Sequence, residues 1–251
     1  MTLKLSNNVR NYQTDADGTA SATQLYGMSC GARSLLRAAT ELYHGRALPN
    51  VARHAGFASV YDRAFPGRPP STKLANTSSW ESTIYQWTSN PADPMSDPDT
   101  WPGNMPSRII TCAAHLGLQA VACRKRGAKL AKLLSVVPEY KDEVPLFVEE
   151  EPALIYKLAP NQRLLKCIVG YAGAEQYVGA DEGSLRRFVD WVKLTVAATK
   201  GDMFMHWIVI RPDGTVYDPA MAGSTNGPNV DTYKRTEKVH GTGLCIRLTG
   251  P

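Results

Sequence analysis

The feature that most constrains the fold is an apolar segment that runs into a tight turn near the C-terminal end of the chain. Residues 203–210 read Met-Phe-Met-His-Trp-Ile-Val-Ile, apolar on both faces, which is typical of a strand buried inside a sheet. Arg211-Pro-Asp-Gly follows and fits a type I turn with glycine in the left-handed position. A three-residue loop with a glycine bulge pairs Arg211 with Thr215. The segment therefore predicts a β-hairpin.

The register of this hairpin brings a histidine close to a carboxylate. If Arg211 pairs with Thr215, Ile208 faces Asp218, and His206 lies diagonally across from Asp218 on the same face. A shift of one residue would put the two side chains on opposite faces. A histidine alone in a buried strand needs a polar partner, so the competing interpretation is a core histidine that is merely satisfied.

A cysteine stands at the predicted start of a helix. Ser29 is a plausible N-cap, and apolar residues recur at helical spacing over residues 29–44. A thiol in the first turn feels the positive end of the helix dipole and free N–H groups, which favour the thiolate. Gln24 precedes Cys30 by six residues and offers an amide that can donate to an oxyanion, with the Cys30 N–H as second donor. The alternative is an ordinary buried cysteine.

The chain resembles the papain-like cysteine peptidases, most closely their bacterial bacteriocin-processing and effector-type branch. Two stretches and one glutamine carry the match: Gln24, Ser29-Cys30-Gly31-Ala32 at the start of a helix, and His206-Trp-Ile-Val-Ile with Tyr217-Asp218-Pro219. Their order along the chain agrees with that family.

The resemblance implies a role for each of four residues. Cys30 would be the nucleophile, His206 the general base and acid, Asp218 the group that orients His206, and Gln24 a donor in the oxyanion hole. It also implies an α+β fold in which an N-terminal helical lobe packs on a C-terminal twisted antiparallel β-sheet, with the site between them.

The pattern along the chain agrees with an α+β fold, because helical segments come mainly before strand-like ones. The predicted helices are 29–44, 79–88, 106–117, 127–136 and 182–199, and the predicted strands are 118–123, 144–158, 163–171, 203–210, 215–218 and 242–248. Residues 1–23 are expected to be a flexible arm. Residues 24–251 are expected to be one catalytic domain, helical over about 24–140 and sheet over about 141–251. The proline-rich stretch 89–106 is expected to be irregular.

Composition narrows the class of protein. The chain has 251 residues, of which 43% are hydrophobic and 20% charged, as in soluble globular proteins. Its five cysteines include no Cys-x-x-Cys, which argues against a zinc site or a redox pair and favours buried reduced thiols. No metal or organic cofactor is expected. No apolar run approaches the roughly 18 residues of a membrane span.

The polar N-terminus lacks the apolar core of a secretory signal. We therefore expect synthesis in the cytoplasm, with any secretion following a route that does not read such a signal.

Amide hydrolysis in a protein or peptide substrate is the expected activity. A glutamine deamidase, a transglutaminase-like transferase or a peptidoglycan amidase would use the same triad, and a non-catalytic binding module with a structural Cys30 is a further alternative. The basic residues Arg124, Lys125, Arg126, Lys129 and Lys132 fit a solvated helix end, so no nucleic-acid partner is expected.

Overall fold

The computed structural model describes residues 24–43, 78–128, 134, 138–171, 203–220 and 240–251. They form an α+β arrangement with four α-helices: α1 (Cys30–Tyr43), α2 (Ser78–Ser89), α3 (Pro106–His115) and α4 (Pro152–Ile155). The strands are β1 (Gln119–Lys125), β2 (Val148–Glu150), β3 (Gln162–Tyr171), β4 (Met203–Ile210), β5 (Val216–Tyr217) and β6 (His240–Thr249). Short 3-10 turns occupy Pro98–Thr100, Pro138–Tyr140 and Val144–Leu146.

The six strands of the described residues form a single mixed sheet in the order β2-β1-β6-β3-β4-β5. Strands β1 and β2 pair in parallel, and the other neighbours are antiparallel. This corrects the expectation of a wholly antiparallel sheet. The connection over residues 126–147 is long enough for the crossover that a parallel pair needs.

The prediction of a strand across residues 144–158 is wrong. That segment instead holds a 3-10 turn, the short strand β2 and the single helical turn α4. Pro145 and Pro152 both lie at the N-terminal end of a short helix, where the missing N–H would have no intrahelical partner. These prolines therefore divide a segment that its sequence pattern predicts to be one strand.

The other predicted elements agree with the structure to within one or two residues at most ends. Helices α1 and α2, the start of α3, and strands β1, β3, β4, β5 and β6 lie where the sequence pattern put them. The predicted arm 1–23 and the predicted helix 182–199 lie outside the described residues, as does most of the predicted helix 127–136.

Helix α1 is the centre of the fold. It packs against α2 and α3 on one side and against β3 and β4 on the other, and all of its residues are buried. Both faces of the sheet are also covered by apolar side chains: Leu165 and Val209 join the core around α1, whereas Leu164 and Ile208 join a second cluster. Among the described helices, none is long and apolar enough to cross a membrane.

Candidate active site

The β4–β5 hairpin has the loop and register that its sequence predicts. Val209 pairs with Tyr217, and Ile210 pairs with Val216. The Arg211 N–H donates to the Thr215 carbonyl at 3.0 Å. Gly214 has φ of 80°, the left-handed conformation that glycine adopts without a steric penalty.

This register brings His206 and Asp218 together. The His206 Nε2 lies 2.6 Å from the Asp218 Oδ1, and both side chains are buried. The same carboxylate oxygen accepts a hydrogen bond from the Ala220 N–H at 2.8 Å. Asp218 is thus held both by the imidazole and by the backbone that follows it.

Cys30, the first residue of α1, lies close enough to His206 to raise the pKa of the imidazole. Because Nε2 faces Asp218, Nδ1 is the ring nitrogen that remains for the sulfur. Burial acts to lower the pKa of His206, but its hydrogen bonds with Asp218 and with Cys30 outweigh burial and raise the pKa to about 10. His206 is therefore an imidazolium at neutral pH in this arrangement.

A hydrogen bond next to the site joins α1 to β4. The Ser34 hydroxyl, one helical turn after Cys30, donates to the Trp207 carbonyl at 2.8 Å. Trp207 is the neighbour of His206 in β4. This contact fixes the position of α1 along β4, and so it helps to set the distance between the Cys30 sulfur and the His206 imidazole.

The start of α1 is capped by a residue that the sequence analysis missed. The sequence predicts Ser29 as the cap, but its hydroxyl lies within hydrogen-bond distance of the Tyr26 carbonyl and of Glu81 instead. The Asn104 Oδ1 instead accepts from the Gly31 N–H at 2.9 Å and from the Ala32 N–H at 3.2 Å. Asn104 belongs to the proline-rich stretch, and so that stretch takes part in shaping the site.

Gly31 is required by the close approach of Asn104. A Cβ at position 31 would lie 2.6 Å from the Asn104 Cβ and 2.8 Å from its Oδ1, nearer than real contacts allow. The glycine after the cysteine therefore makes room for the amide that caps the helix.

A buried charged network lies beneath the loop that leads to Cys30. The Glu81 Oε1 accepts from the Ser29 hydroxyl at 2.8 Å and from the Leu25 N–H at 2.6 Å. Its other oxygen lies 3.7 Å from an Arg33 guanidinium nitrogen. Arg33 Nε donates to the Tyr217 hydroxyl at 3.1 Å, so the network reaches β5 next to Asp218. Sequence spacing gave no signal that Glu81 and Arg33 would pair.

The structure places Gln24 beside the end of the hairpin. The Gln24 N–H donates to the Pro219 carbonyl at 2.6 Å. The side-chain Nε2 donates to the Tyr26 and Gly27 carbonyls, each at 2.9 Å. The amide thus braces the loop before Cys30, and its role as an oxyanion donor stays a prediction.

The proline-rich stretch and the basic residues have structural partners. Trp101 of the proline-rich stretch is buried, so this stretch packs onto the body of the protein. Arg124 pairs with Glu149 at 2.9 Å, and Arg126 pairs with both Glu149 and Glu151. Within the described ranges, no group of three or more His, Cys, Asp or Glu side chains is arranged to hold a metal ion.

Comparison with known proteins gives the family. A curated relative, the cysteine protease IpaJ of Shigella flexneri, is 24% identical over 204 residues, which are 79% of this chain and 63% of that protein. The chain thus spans less than two thirds of the length of that relative. No solved structure gives a significant match. The model of the family described as "Invasion plasmid antigen J, cysteine protease" matches residues 22–251, nearly the whole chain, and the chain therefore belongs to the IpaJ cysteine protease family.

Proposed function

We propose that this protein is a cysteine protease in which Cys30 is the nucleophile, His206 the general base and acid, and Asp218 the group that orients His206. The observation that carries the proposal is the 2.6 Å contact of His206 with Asp218, together with the closeness of Cys30, which raises the pKa of the same imidazole. These side chains come from a helix start, a strand and a strand end, and all three are buried. A nucleophile, its base and an orienting carboxylate in mutual contact are the arrangement that thiol hydrolases use.

In the proposed mechanism, His206 is the imidazolium with a proton at Nδ1, and the Cys30 sulfur attacks the carbonyl carbon of the scissile amide. The imidazolium then protonates the leaving amine, and a thioester remains on Cys30. His206 next takes a proton from water, which attacks the thioester and releases the acid. Asp218 keeps Nδ1 aimed at the sulfur throughout.

The developing oxyanion needs donors, and the capping of α1 indicates one of them. Asn104 accepts from Gly31 and Ala32, the second and third residues of the helix. We assign the N–H of the first residue, Cys30, to the oxyanion. Gln24 would supply the second donor if its Nε2 exchanges a loop carbonyl for the substrate. Gln24→Ala should then lower kcat about 100-fold with little change in KM. If the variant instead loses activity only because it is less stably folded, Gln24 serves only to hold the loop before Cys30.

We also propose a papain-like relationship for the fold. The support is the order of the elements: the cysteine opens a buried helix within the helical part, and the histidine and aspartate lie on a sheet that packs against that helix.

The test of the proposed activity is the appearance of new N-termini. Purified wild-type protein is incubated with a peptide library and, separately, with a cell lysate, and new N-termini are identified by mass spectrometry. We expect cleavage that Cys30→Ala and His206→Ala abolish. Cys112→Ala is the matched control, because Cys112 is a buried thiol on α3, and it should retain cleavage.

The same experiment separates proteolysis from chemistry that shares the triad. Conversion of substrate glutamine to glutamate without chain cleavage, dependent on Cys30, would identify a deamidase. A mass gain from a joined amine would identify a transferase. Cleavage that persists undiminished in Cys30→Ala would overturn the assignment of the nucleophile.

We further propose that the protein is an exported bacterial effector that acts on a protein or peptide. The family description names an invasion plasmid antigen, and the named relative is a protease of Shigella flexneri. A fusion to a reporter that is active only in the recipient cell tests export. Reporter signal that does not depend on a secretion system would contradict the proposal.

A further inference from the structure

Three strands place two cysteines and a lysine in one row across the sheet. Cys123 on β1 is directly opposite Cys245 on β6, and Cys245 is directly opposite Lys166 on β3. Directly opposed residues point to the same face of a sheet. Cys123 and Cys245 belong to the apolar cluster with Leu164 and Ile208, whereas Cys30 belongs to the cluster around α1. The row is therefore separate from Cys30, whereas His206, directly opposite Ile168 of that second cluster, lies on the same face of the sheet as the row.

The two thiols are close enough to form a disulfide. Directly opposed residues of an antiparallel pair have Cα atoms about 4.5 or 5.5 Å apart, depending on the type of pair. Disulfides span Cα distances of about 4.4–6.8 Å, which include both values. Each of the two thiols shifts the pKa of the other, as close neighbours do. The absence of a Cys-x-x-Cys motif thus did not exclude a cysteine pair, because sheet register joins residues 122 positions apart.

Lys166 supplies a buried positive charge to this pair. Its side chain is 3% exposed, and Nζ donates to the Tyr156 hydroxyl and lies 4.7 Å from the centre of that ring. A Cβ added at Gly241 would lie 3.3 Å from Nζ, so the ammonium reaches across to β6. Among the described residues, no carboxylate forms an ion pair with Lys166. A buried ammonium needs an anionic or strongly accepting partner, and the Cys245 sulfur can meet that need as a thiolate.

Three of the groups around Cys245 lower the pKa of its thiol. The hydrogen bond from Cys123 is the largest cause that lowers the pKa of Cys245, and the Lys166 ammonium lowers it further, against the effect of burial. Arg247 also lowers this pKa, and Glu150 raises it. By contrast, burial alone raises the pKa of Cys112. Outside the candidate active site, Cys245 is thus the thiol of the described residues whose surroundings most favour the thiolate.

We propose that Cys123 and Cys245 are an oxidisable dithiol, which a hydroperoxide converts into a disulfide between β1 and β6 with Lys166 as the activating cation. The Cys245 thiolate attacks the terminal peroxide oxygen, so that an S–O bond forms and the O–O bond breaks. The alkoxide leaves as an alcohol, or as water from hydrogen peroxide, with a proton from Lys166. The Cys123 thiol then attacks the sulfenic sulfur, and hydroxide leaves as water with the Cys123 proton. Two sulfurs are oxidised, and one peroxide is reduced.

Burial determines which oxidant fits. Cys123 and Cys245 are 0% and 1% exposed, and the helical turn α4 contacts β1. A molecule as small as hydrogen peroxide can enter through local opening of such a short element. A bulky alkylating reagent cannot, so the native protein should be alkylated slowly at both cysteines.

The test uses a Cys30→Ser background, so that the proposed nucleophile cannot contribute. The folded protein is treated with hydrogen peroxide, and remaining thiols are alkylated after denaturation and mapped by mass spectrometry. We expect loss of two alkylatable thiols and recovery of a Cys123–Cys245 cross-linked peptide pair, with Cys112 and Cys167 still reduced. Lys166→Met should slow cross-linking about tenfold, the change in thiolate fraction that one pKa unit represents.

Two results would overturn the proposal. One is full alkylation of Cys123 and Cys245 after peroxide treatment that oxidises Cys30 in the wild-type protein. The other is oxidation of Cys245 to sulfinic acid while Cys123 stays reduced. The measurement counts thiols and not cleavage, so its outcome is independent of the proposed protease function.

Discussion

At the scale of single residues, the charge on His206 is the property on which the site depends. Burial alone would favour the neutral ring, but the contacts with Asp218 and Cys30 raise its pKa to about 10. The histidine therefore carries its charge beside the sulfur across the neutral range. Removing the charge of Asp218 is the smallest change that alters this balance.

Asp218→Asn keeps the size of the side chain but removes its charge. Because general acid–base catalysis is worth about 100-fold to 10,000-fold, we expect kcat/KM to fall by at least about 100-fold. The pKa of His206 should fall as well. Steady-state kinetics on a peptide substrate measure the first effect, and NMR titration of the imidazole measures the second. An unchanged imidazole titration would contradict the contact between His206 and Asp218.

The same substitution should change how stability depends on pH. A histidine whose pKa is raised on folding stabilises the protein fully below its unfolded value of 6.5, and this contribution is lost as pH rises towards about 10. The free energy of unfolding of the wild type should therefore fall between pH 6.5 and pH 10. Urea unfolding should show a smaller fall for Asp218→Asn and for His206→Gln. An equal fall in all three would assign the pH dependence to other groups.

At the scale of elements, the start of α1 depends on a side chain from a distant stretch of chain. Asn104 takes two of the N–H groups that a helix start leaves without intrahelical partners, and it approaches Gly31 too closely for any Cβ. The geometry around Cys30 is therefore fixed by α1 and by the proline-rich stretch together.

Gly31→Ala should displace Asn104 and disturb the start of α1. Overpacking of a buried site costs about 1–3 kcal/mol, and we expect activity to fall at least about tenfold as Cys30 shifts. Gly27→Ala is the matched control, since a Cβ at Gly27 meets nothing within 4 Å. Urea unfolding and kinetics measure both variants. Equal behaviour of the two would show that the approach of Asn104 to Gly31 has no role.

The other end of α1 is fixed by a buried carboxylate among three arginines. Glu41 accepts from Arg37 at 2.6 Å, from Arg163 at 2.7 Å and from Arg211 at 2.8 Å. Burial acts to raise its pKa, but the hydrogen bond and charge of Arg211 and the charge of Arg37 lower it to about 2. Glu41 thereby joins α1 to β3 and to the turn of the β4–β5 hairpin.

Glu41→Gln should destabilise the fold by about 3 kcal/mol at neutral pH, because it leaves buried arginines without their counter-charge. A carboxylate with a lowered pKa stabilises above its unfolded value of 4.5, and the contribution is lost as pH falls towards 2. The difference between wild type and variant should therefore shrink over that range. Glu151→Gln, in an exposed pair, is the control and should cost less than about 1 kcal/mol. A Glu41→Gln effect as small as this would contradict the network.

At the scale of the whole molecule, features that depend on residues adjacent in the chain could be predicted from the sequence, and features that depend on distant residues could not. The contact of His206 with Asp218 follows from a three-residue loop and from strand alternation. Both can be recognised from residues that are adjacent in the sequence. The start of α1 at Cys30 follows from helical spacing. The mixed sheet could not be predicted, since no local pattern in the sequence relates β1 to β2, which pair in parallel.

The supporting residues were missed for the same reason. Asn104 acts on backbone N–H groups 72 and 73 positions away, and Glu81 acts on Ser29 from 52 positions away. Neither residue belongs to a motif. Every residue except proline has a backbone N–H, so the sequence does not show which N–H groups a distant side chain will bind. Cys30 and His206 are also far apart along the chain, and no local pattern predicts that they meet. Only the resemblance to a family predicted their contact.

The most direct test of the account is the reactivity of Cys30 in the folded protein. Iodoacetamide is added at neutral pH to wild type, Cys30→Ala and His206→Ala, and the site and rate of alkylation are measured by mass spectrometry. We predict one fast adduct on Cys30 in the wild type, none at comparable rate in Cys30→Ala, and alkylation of Cys30 slowed at least about tenfold in His206→Ala, because the histidine that activates the nucleophile is gone. Equal alkylation of Cys30 in wild type and His206→Ala would contradict the account.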